Sequence, residues 1–198
     1  SDPNLQNIPI KTEDGKNIRK AFRSFKSNNC IISFDYSQIE LRILADYSDE
    51  KKLIDAFNNN VDVHTRTASL IYGISNEDVD YSHRRVAKII NYSIAYGAGP
   101  FRISEELKIP IKEASSIINN YFDRYPGIKQ YIEDTIEFGT KNGFVATKLG
   151  RQRNTMNLRS QNRNIQESEK RATINMPIQG TASELIKIAM IDIDNKIK

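Results

Sequence analysis

Four side chains at four-residue spacing carry the first chemistry in this sequence: Arg84, Lys88, Tyr92 and Tyr96. On a helix, positions four apart share a face, and each further step drifts by only about 40°. The face has two cations toward its N-terminal end and two aromatic rings toward its C-terminal end. Cations suit a phosphate chain, and rings suit a nucleobase or a sugar. The helix N-terminus adds a field favourable to phosphates. The competing reading is an amphipathic helix with half-buried tyrosines and solvated cations, for which Ile89, Ile90 and Ile94 supply the apolar surface. Asp35 is the second candidate. It follows the apolar run Ile31-Ile32-Ser33-Phe34 and precedes a helix. A carboxylate at a strand end can bind a hard cation through oxygen. Alternatively, Asp35 caps the next helix, a role for which Ser37 competes. Ser37-Gln38-Ile39-Glu40 fits the capping-box pattern, which would occupy Glu40 as well.

The elements that must position these groups are mostly helices. Residues 1–16 read as loop, with Pro3, Pro9 and Gly15. Ile31–Phe34 is a short buried-strand candidate. Helical patterns follow from Ser37 and near 49–58, 62–72, 81–97, 100–108 and 111–124. Another starts at Pro126, where proline is tolerated in a first turn, and ends near Gly139 and Gly143. Phe144–Thr147 and the stretch after Gly150 suggest a small hairpin. Residues 162–198 read as helix interrupted near Pro177, since an interior proline removes a hydrogen bond.

Composition narrows the class. The 198 residues hold 29 Lys and Arg against 25 Asp and Glu, a formal charge of +4. The charges are spread along the chain, so they favour a polyanionic partner only weakly. No apolar run of about 18 residues exists, which excludes a helical membrane span. One cysteine, Cys30, excludes an internal disulfide framework and a multi-cysteine metal site. Before an apolar run it reads as a reduced core residue of a cytosolic protein. The length fits one domain or two small lobes. Neither end carries a start or stop signal of its own, so both read as cut from a longer chain.

In order along the chain, four segments resemble the family A DNA polymerases, the bacterial DNA polymerase I type. Asp2-Pro3-Asn4-Leu5-Gln6-Asn7-Ile8-Pro9 is similar to the family's opening segment. Asp35-Tyr36-Ser37-Gln38-Ile39-Glu40-Leu41-Arg42 is similar to motif A. Arg84-Arg85-Val86-Ala87-Lys88 through Tyr96-Gly97 is similar to motif B, the fingers helix. Asn175-Met176-Pro177-Ile178-Gln179-Gly180-Thr181-Ala182 is similar to the helix that follows the primer-template minor groove. The resemblance implies an α+β, mostly helical chain, a partial right-hand polymerase fold with a palm piece and helical fingers. The thumb and the rest of the palm would be absent. Residues 1–60 would be palm, 61–160 fingers, and 161–198 the minor-groove helix packed on the palm.

The activity so implied is template-directed addition of deoxynucleotides to a primer 3′ end, in DNA replication or repair. Partners would be primer-template DNA and deoxynucleoside triphosphates, with no membrane and a monomeric state. The location would be cytoplasmic, at the nucleoid, if the host is bacterial. Asp35 and Lys88 are the catalytic residues that the resemblance implies. Asp35 and the Tyr36 carbonyl would bind Mg²⁺, two ions in the intact enzyme. Arg84 and Lys88 would hold the triphosphate, with His64 near the same phosphates. Tyr92 would meet the sugar, Tyr96 would stack beside the templating position, and Gln38 joins the nucleotide-binding set. Glu40 would accept a hydrogen bond from Tyr96 and close the space that a ribose 2′-hydroxyl needs. Arg171, Asn175 and Gln179, at i, i+4 and i+8, would read acceptors common to all base pairs in the minor groove. Asn4, Gln6 and Asn7 would lie near the duplex.

The sequence also departs from the family pattern. The family's later His-Asp-Glu motif is absent, because neither His64 nor His83 precedes Asp-Glu. One carboxylate does not easily hold two cations about 4 Å apart. The chain by itself is therefore expected to bind without efficient turnover. Position 92 is Tyr where many relatives have Phe, which implies weak discrimination against dideoxynucleotides. The alternative is a non-catalytic nucleotide- or nucleic-acid-binding module derived from a polymerase. A single-subunit RNA polymerase is disfavoured by Glu40. Arg151 and Arg153 could touch backbone phosphates. Tyr121, Phe122 and Tyr125 read as packing residues, His83 as solvated, and Asp192 and Asp194 as surface.

Overall fold

Leucine and isoleucine at helical spacing bury one face of nearly every helix in the computed structural model, which describes residues 8–10, 12–26 and 28–197. The chain divides into two units, Ser1–Ser37 and Gln38–Lys198.

In the first unit, α1 spans Glu13–Lys20. Thr12 caps it by accepting from the Gly15 amide at 3.1 Å, and Glu13 and Asp14 favour its positive end. This corrects the expectation of loop through residue 16. Gly15 misleads as a helix breaker: a Cβ there would lie 2.0 Å from the Pro9 carbonyl oxygen, so close backbone approach requires glycine. The strand expected at Ile31–Phe34 does not form. The segment is irregular, and Ile31, Ile32 and Phe34 are exposed. A strand needs a ladder partner, and the one ladder among the described residues lies elsewhere. Cys30 is likewise exposed, not a core residue.

The second unit begins with α2 (Ile39–Ser48), α3 (Lys51–Asn58), α4 (Val63–Tyr72) and α5 (Tyr81–Ala95). It continues with α6 (Pro100–Leu107), α7 (Ile111–Arg124) and α8 (Pro126–Asn142). A hairpin follows, β1 (Phe144–Ala146) with β2 (Gln152–Asn154), then a 3-10 turn at Met156–Arg159 and α9 (Arg163–Ile197). The helix boundaries agree with the periodicity to within two residues, except at α9. That helix runs through Pro177 without the expected interruption. Pro177 and Ile178 are buried, and the segment packs against α2 and α8. Tertiary burial outweighs the local penalty of one missing donor.

The core joins Leu41 and Leu44 of α2 to Ile90 and Ile94 of α5 and Ile174 and Ile178 of α9. Tyr121 and Tyr125 are fully buried in it, as packing residues. Glu50 ties two helix starts together: its carboxylate accepts from the Lys52 amide at 3.3 Å and the Gly127 amide at 2.9 Å. The hairpin tip bridges α2 and α9. Lys148 pairs with Asp46 of α2, its amide donates to Thr181 Oγ1 of α9 at 3.4 Å, and Thr181 also meets the Tyr47 hydroxyl at 2.9 Å. Among the described residues, no helix is long and apolar enough to cross a membrane.

Candidate nucleotide and nucleic-acid clefts

Helix α5 starts cleanly because Asp80 accepts from the His83 amide at 2.9 Å. Ala87, Ile90 and Ile94 bury its inner face. The outward face lines a cleft of about 380 Å³ with Arg85, Lys88, Tyr92, Ser93 and Tyr96, closed on the far side by Arg102 and Glu106 of α6. The Tyr92 and Tyr96 rings lie 6.2 Å apart and 28° from parallel. The cleft thus combines the cations Arg85, Lys88 and Arg102 with the two rings.

A second cleft, of about 340 Å³, lies along α9 between Arg171, Asn175 and Gln179, with Ser168 beside them. Tyr96 and Arg102 line both clefts. The close approach depends on Gly97, which ends α5 at φ +68°; a Cβ there would lie 3.1 Å from Arg171 Cα. Asn175 Oδ1 is buried with no hydrogen-bond partner in the chain.

Glu40 sits in the first turn of α2, half-buried, and its Oε2 accepts from the Tyr96 hydroxyl at 2.5 Å. Burial, and then this hydrogen bond, push the Tyr96 phenol well above the usual tyrosine value, so it stays a donor. Gln38 is the N-cap, in left-handed backbone at φ 54°, and makes no side-chain cap. Gln38 Oε1 is buried without a hydrogen-bond partner.

Arg84 and His64 are not on the open cleft. Arg84 forms a two-pronged ion pair with Asp62, Nε to Oδ1 at 3.2 Å and Nη2 to Oδ2 at 2.8 Å. Desolvation pushes the Asp62 carboxyl up. The hydrogen bonds from Arg84 and the Thr65 amide outweigh it and hold the group at about 2. His64 is 2% exposed. Its Nδ1 lies 3.2 Å from Asn91 Nδ2, and its ring stands 5.8 Å from Tyr92. Burial holds His64 down at about 4, against the pull of Asp62, with Arg84 and Lys88 adding to the depression.

A histidine buried neutral gives a defined pH dependence. Between about pH 4 and 6.5 the unfolded chain binds a proton at this position that the folded chain does not. Stability should be full above pH 6.5 and fall by roughly 2–3 kcal/mol as pH drops toward 4. A series of denaturant melts across that range checks this, and a His64→Gln variant should lack most of the slope.

Asp35 and Tyr36 belong to the first unit and are exposed. Among the described residues, no three His, Cys, Asp or Glu side chains are grouped to hold a metal ion. These residues do not by themselves make a two-ion centre. Asn4, Gln6 and Asn7 lie outside the described residues. Arg151 and Arg153 pair with Glu184 and Glu169, so their charges are already engaged. Reading the sequence missed Arg85 and Arg102. Arg85 stands three residues before Lys88, as good a helical neighbour as Arg84, whereas Arg102 is brought in only by the turn at Gly97.

This arrangement is part of a polymerase domain. The solved POL domain of Pol1 from M. smegmatis, in complex with DNA primer-template and dNTP, superposes with a TM-score of 0.87 at 40% identity. The match covers 98% of this chain and 34% of that one. The chain belongs to DNA polymerase family A, whose model matches residues 1–198. It is 46% identical over 198 residues to DNA polymerase I of Caldicellulosiruptor bescii, and 45% identical over 195 residues to that of Deinococcus radiodurans. A thermostable DNA polymerase I from Thermus aquaticus is 44% identical over 191 residues. The chain spans 23%, 20% and 23% of these relatives' lengths.

Proposed function

We propose that this chain is the nucleotide-selecting part of a template-directed DNA polymerase that extends a primer 3′ end. The observation carrying the reading is the pair of clefts that meet at Tyr96 and Arg102. One is cationic and aromatic, as a nucleoside triphosphate requires. The other carries Arg171, Asn175 and Gln179, whose donors suit the shared minor-groove acceptors. A nucleotide in the first would then abut a base pair in the second. Residues 61–160 act as fingers, 161–198 as the minor-groove helix, and 1–60 as palm.

Lys88 holds the phosphates, Tyr92 packs on the sugar, and Tyr96 stacks beside the templating position. Glu40, fixed by Tyr96, excludes a 2′-hydroxyl. His64 supports α5 from its buried side through Asn91. Asn4, Gln6 and Asn7 lie along the duplex. Asp35 and the Tyr36 carbonyl contribute to a Mg²⁺ centre that needs a further carboxylate to hold two ions. Divalent ions there would supply activation of the primer hydroxyl and stabilisation of leaving pyrophosphate. The isolated chain therefore binds without efficient turnover. The whole enzyme serves replication or repair as a monomer in the cytoplasm.

Nucleotide affinity measured by calorimetry tests the cleft. Lys88→Ala should weaken deoxynucleoside triphosphate binding about tenfold or more, because a charge-assisted phosphate contact is lost. Unchanged affinity would remove α5 from the site.

A further inference from the structure

The Arg84 side chain does not join the cleft that its helical register shares with Lys88 and Tyr92. The four-residue spacing sets it one turn before Lys88, yet its guanidinium is turned to Asp62. It is not among the residues lining the cleft that Arg85, Lys88 and Tyr92 share. The fork uses Nε and Nη2 against both carboxylate oxygens. Asp62 Oδ1 also accepts from the Thr65 amide at 2.7 Å and so caps α4. One carboxylate therefore serves as helix cap and counter-ion together.

We propose that Asp62 is a latch on Arg84, a positioning residue that keeps the guanidinium off the cleft until a polyphosphate draws it away. The proposal rests on the nucleotide-binding reading above and names the part of the nucleotide that works the latch. Arg84 lies eight residues before Tyr92, a rise of about 12 Å along the helix. A nucleotide with its sugar at Tyr92 and inner phosphates at Lys88 reaches Arg84 only with its outermost phosphate. A monophosphate is too short. The paired side chains are 41% and 37% exposed, so an incoming phosphate can reach the pair. Exchange of one oxyanion for another at such a site involves a small free-energy difference. Asp62 thereby sets how strongly the third phosphate is felt, and so how well the cleft separates triphosphates from shorter nucleotides.

Asp62→Asn tests this cleanly, because asparagine caps a helix about as well as aspartate and removes the charge. The measurement is calorimetric binding of dATP and dAMP to this chain, with melting curves of each variant. Asp62→Asn should bind dATP about three- to tenfold more tightly and dAMP unchanged. Adding Arg84→Ala should erase that gain. A purely structural effect of Asp62 would move both nucleotides together and lower the melting temperature. If wild-type dATP binding is intact and sensitive to Lys88→Ala, but Asp62→Asn leaves it unchanged or weaker, the latch alone is overturned. If neither protein shows Lys88-dependent binding, the nucleotide reading is overturned and the latch with it.

Discussion

Glu40→Ala should raise ribonucleotide use relative to deoxyribonucleotide use by on the order of a hundredfold in the full-length polymerase. The argument starts from restraint. A carboxylate in the first turn of α2 would ordinarily swing in solvent, but the Tyr96 hydroxyl holds Glu40 Oε2 at 2.5 Å. That phenol remains protonated, so the hydrogen bond persists across the working pH range. A fixed carboxylate forms a wall, and alanine leaves the volume of a hydroxyl open in its place. Tyr96→Phe should give an intermediate loss, since the ring stays while the restraint goes. Glu40→Gln should keep most of the selectivity, because its amide oxygen can still accept from Tyr96. The readout is the ratio of kcat/KM for matched ribo- and deoxynucleotides. A ratio unmoved by Glu40→Ala would exclude a gate at this position.

The largest effect on stability is expected at Asn91. It is 1% exposed and belongs to α5, where its side chain meets His64 and Thr67 of α4. Its Nδ2 donates to Thr67 Oγ1 at 3.1 Å and lies 3.2 Å from His64 Nδ1, while Thr67 also meets the Tyr125 hydroxyl at 3.0 Å. Four buried polar groups from three stretches of chain thus satisfy one another. Removing the central one strips His64 Nδ1 of its partner and leaves Thr67 with Tyr125 alone, in a site that water does not reach. Asn91→Ala adds a cavity as well, for a combined loss of about 2–4 kcal/mol. The melting temperature should fall by roughly 5–15 °C. Asn91→Leu fills the space but leaves His64 Nδ1 without its Asn91 partner, so it should recover only part of the loss. A change under about 1 kcal/mol in both variants would mean that the network is not holding α5 against α4.

Legibility in the sequence followed the range of the interaction. Helices α3 to α8 were readable because 3.6-residue periodicity is local, and because Pro100, Pro126 and Gly143 mark their ends. The Lys88, Tyr92 and Tyr96 face was readable for the same reason. Arg84 has the same spacing but a different place, since Asp62 lies 22 residues away and no local rule reports that attraction. Arg102 was invisible because only the turn at Gly97 folds α6 back over α5. At Ile31–Phe34 composition suggested a strand, but a strand exists only with its neighbour. At Pro177 the local rule named a real penalty, and packing on α2 and α8 exceeds it.

The central claim is that these residues choose nucleotides against a template. The most direct test is single-nucleotide primer extension by the full-length polymerase with Mg²⁺. Four primer-templates differing only at the templating base would each be offered every deoxynucleotide. The account predicts that each template selects its complement, that Lys88→Ala depresses all four reactions, and that the isolated 198-residue chain gives no efficient extension. Incorporation indifferent to the templating base, or untouched by Lys88→Ala, would contradict it.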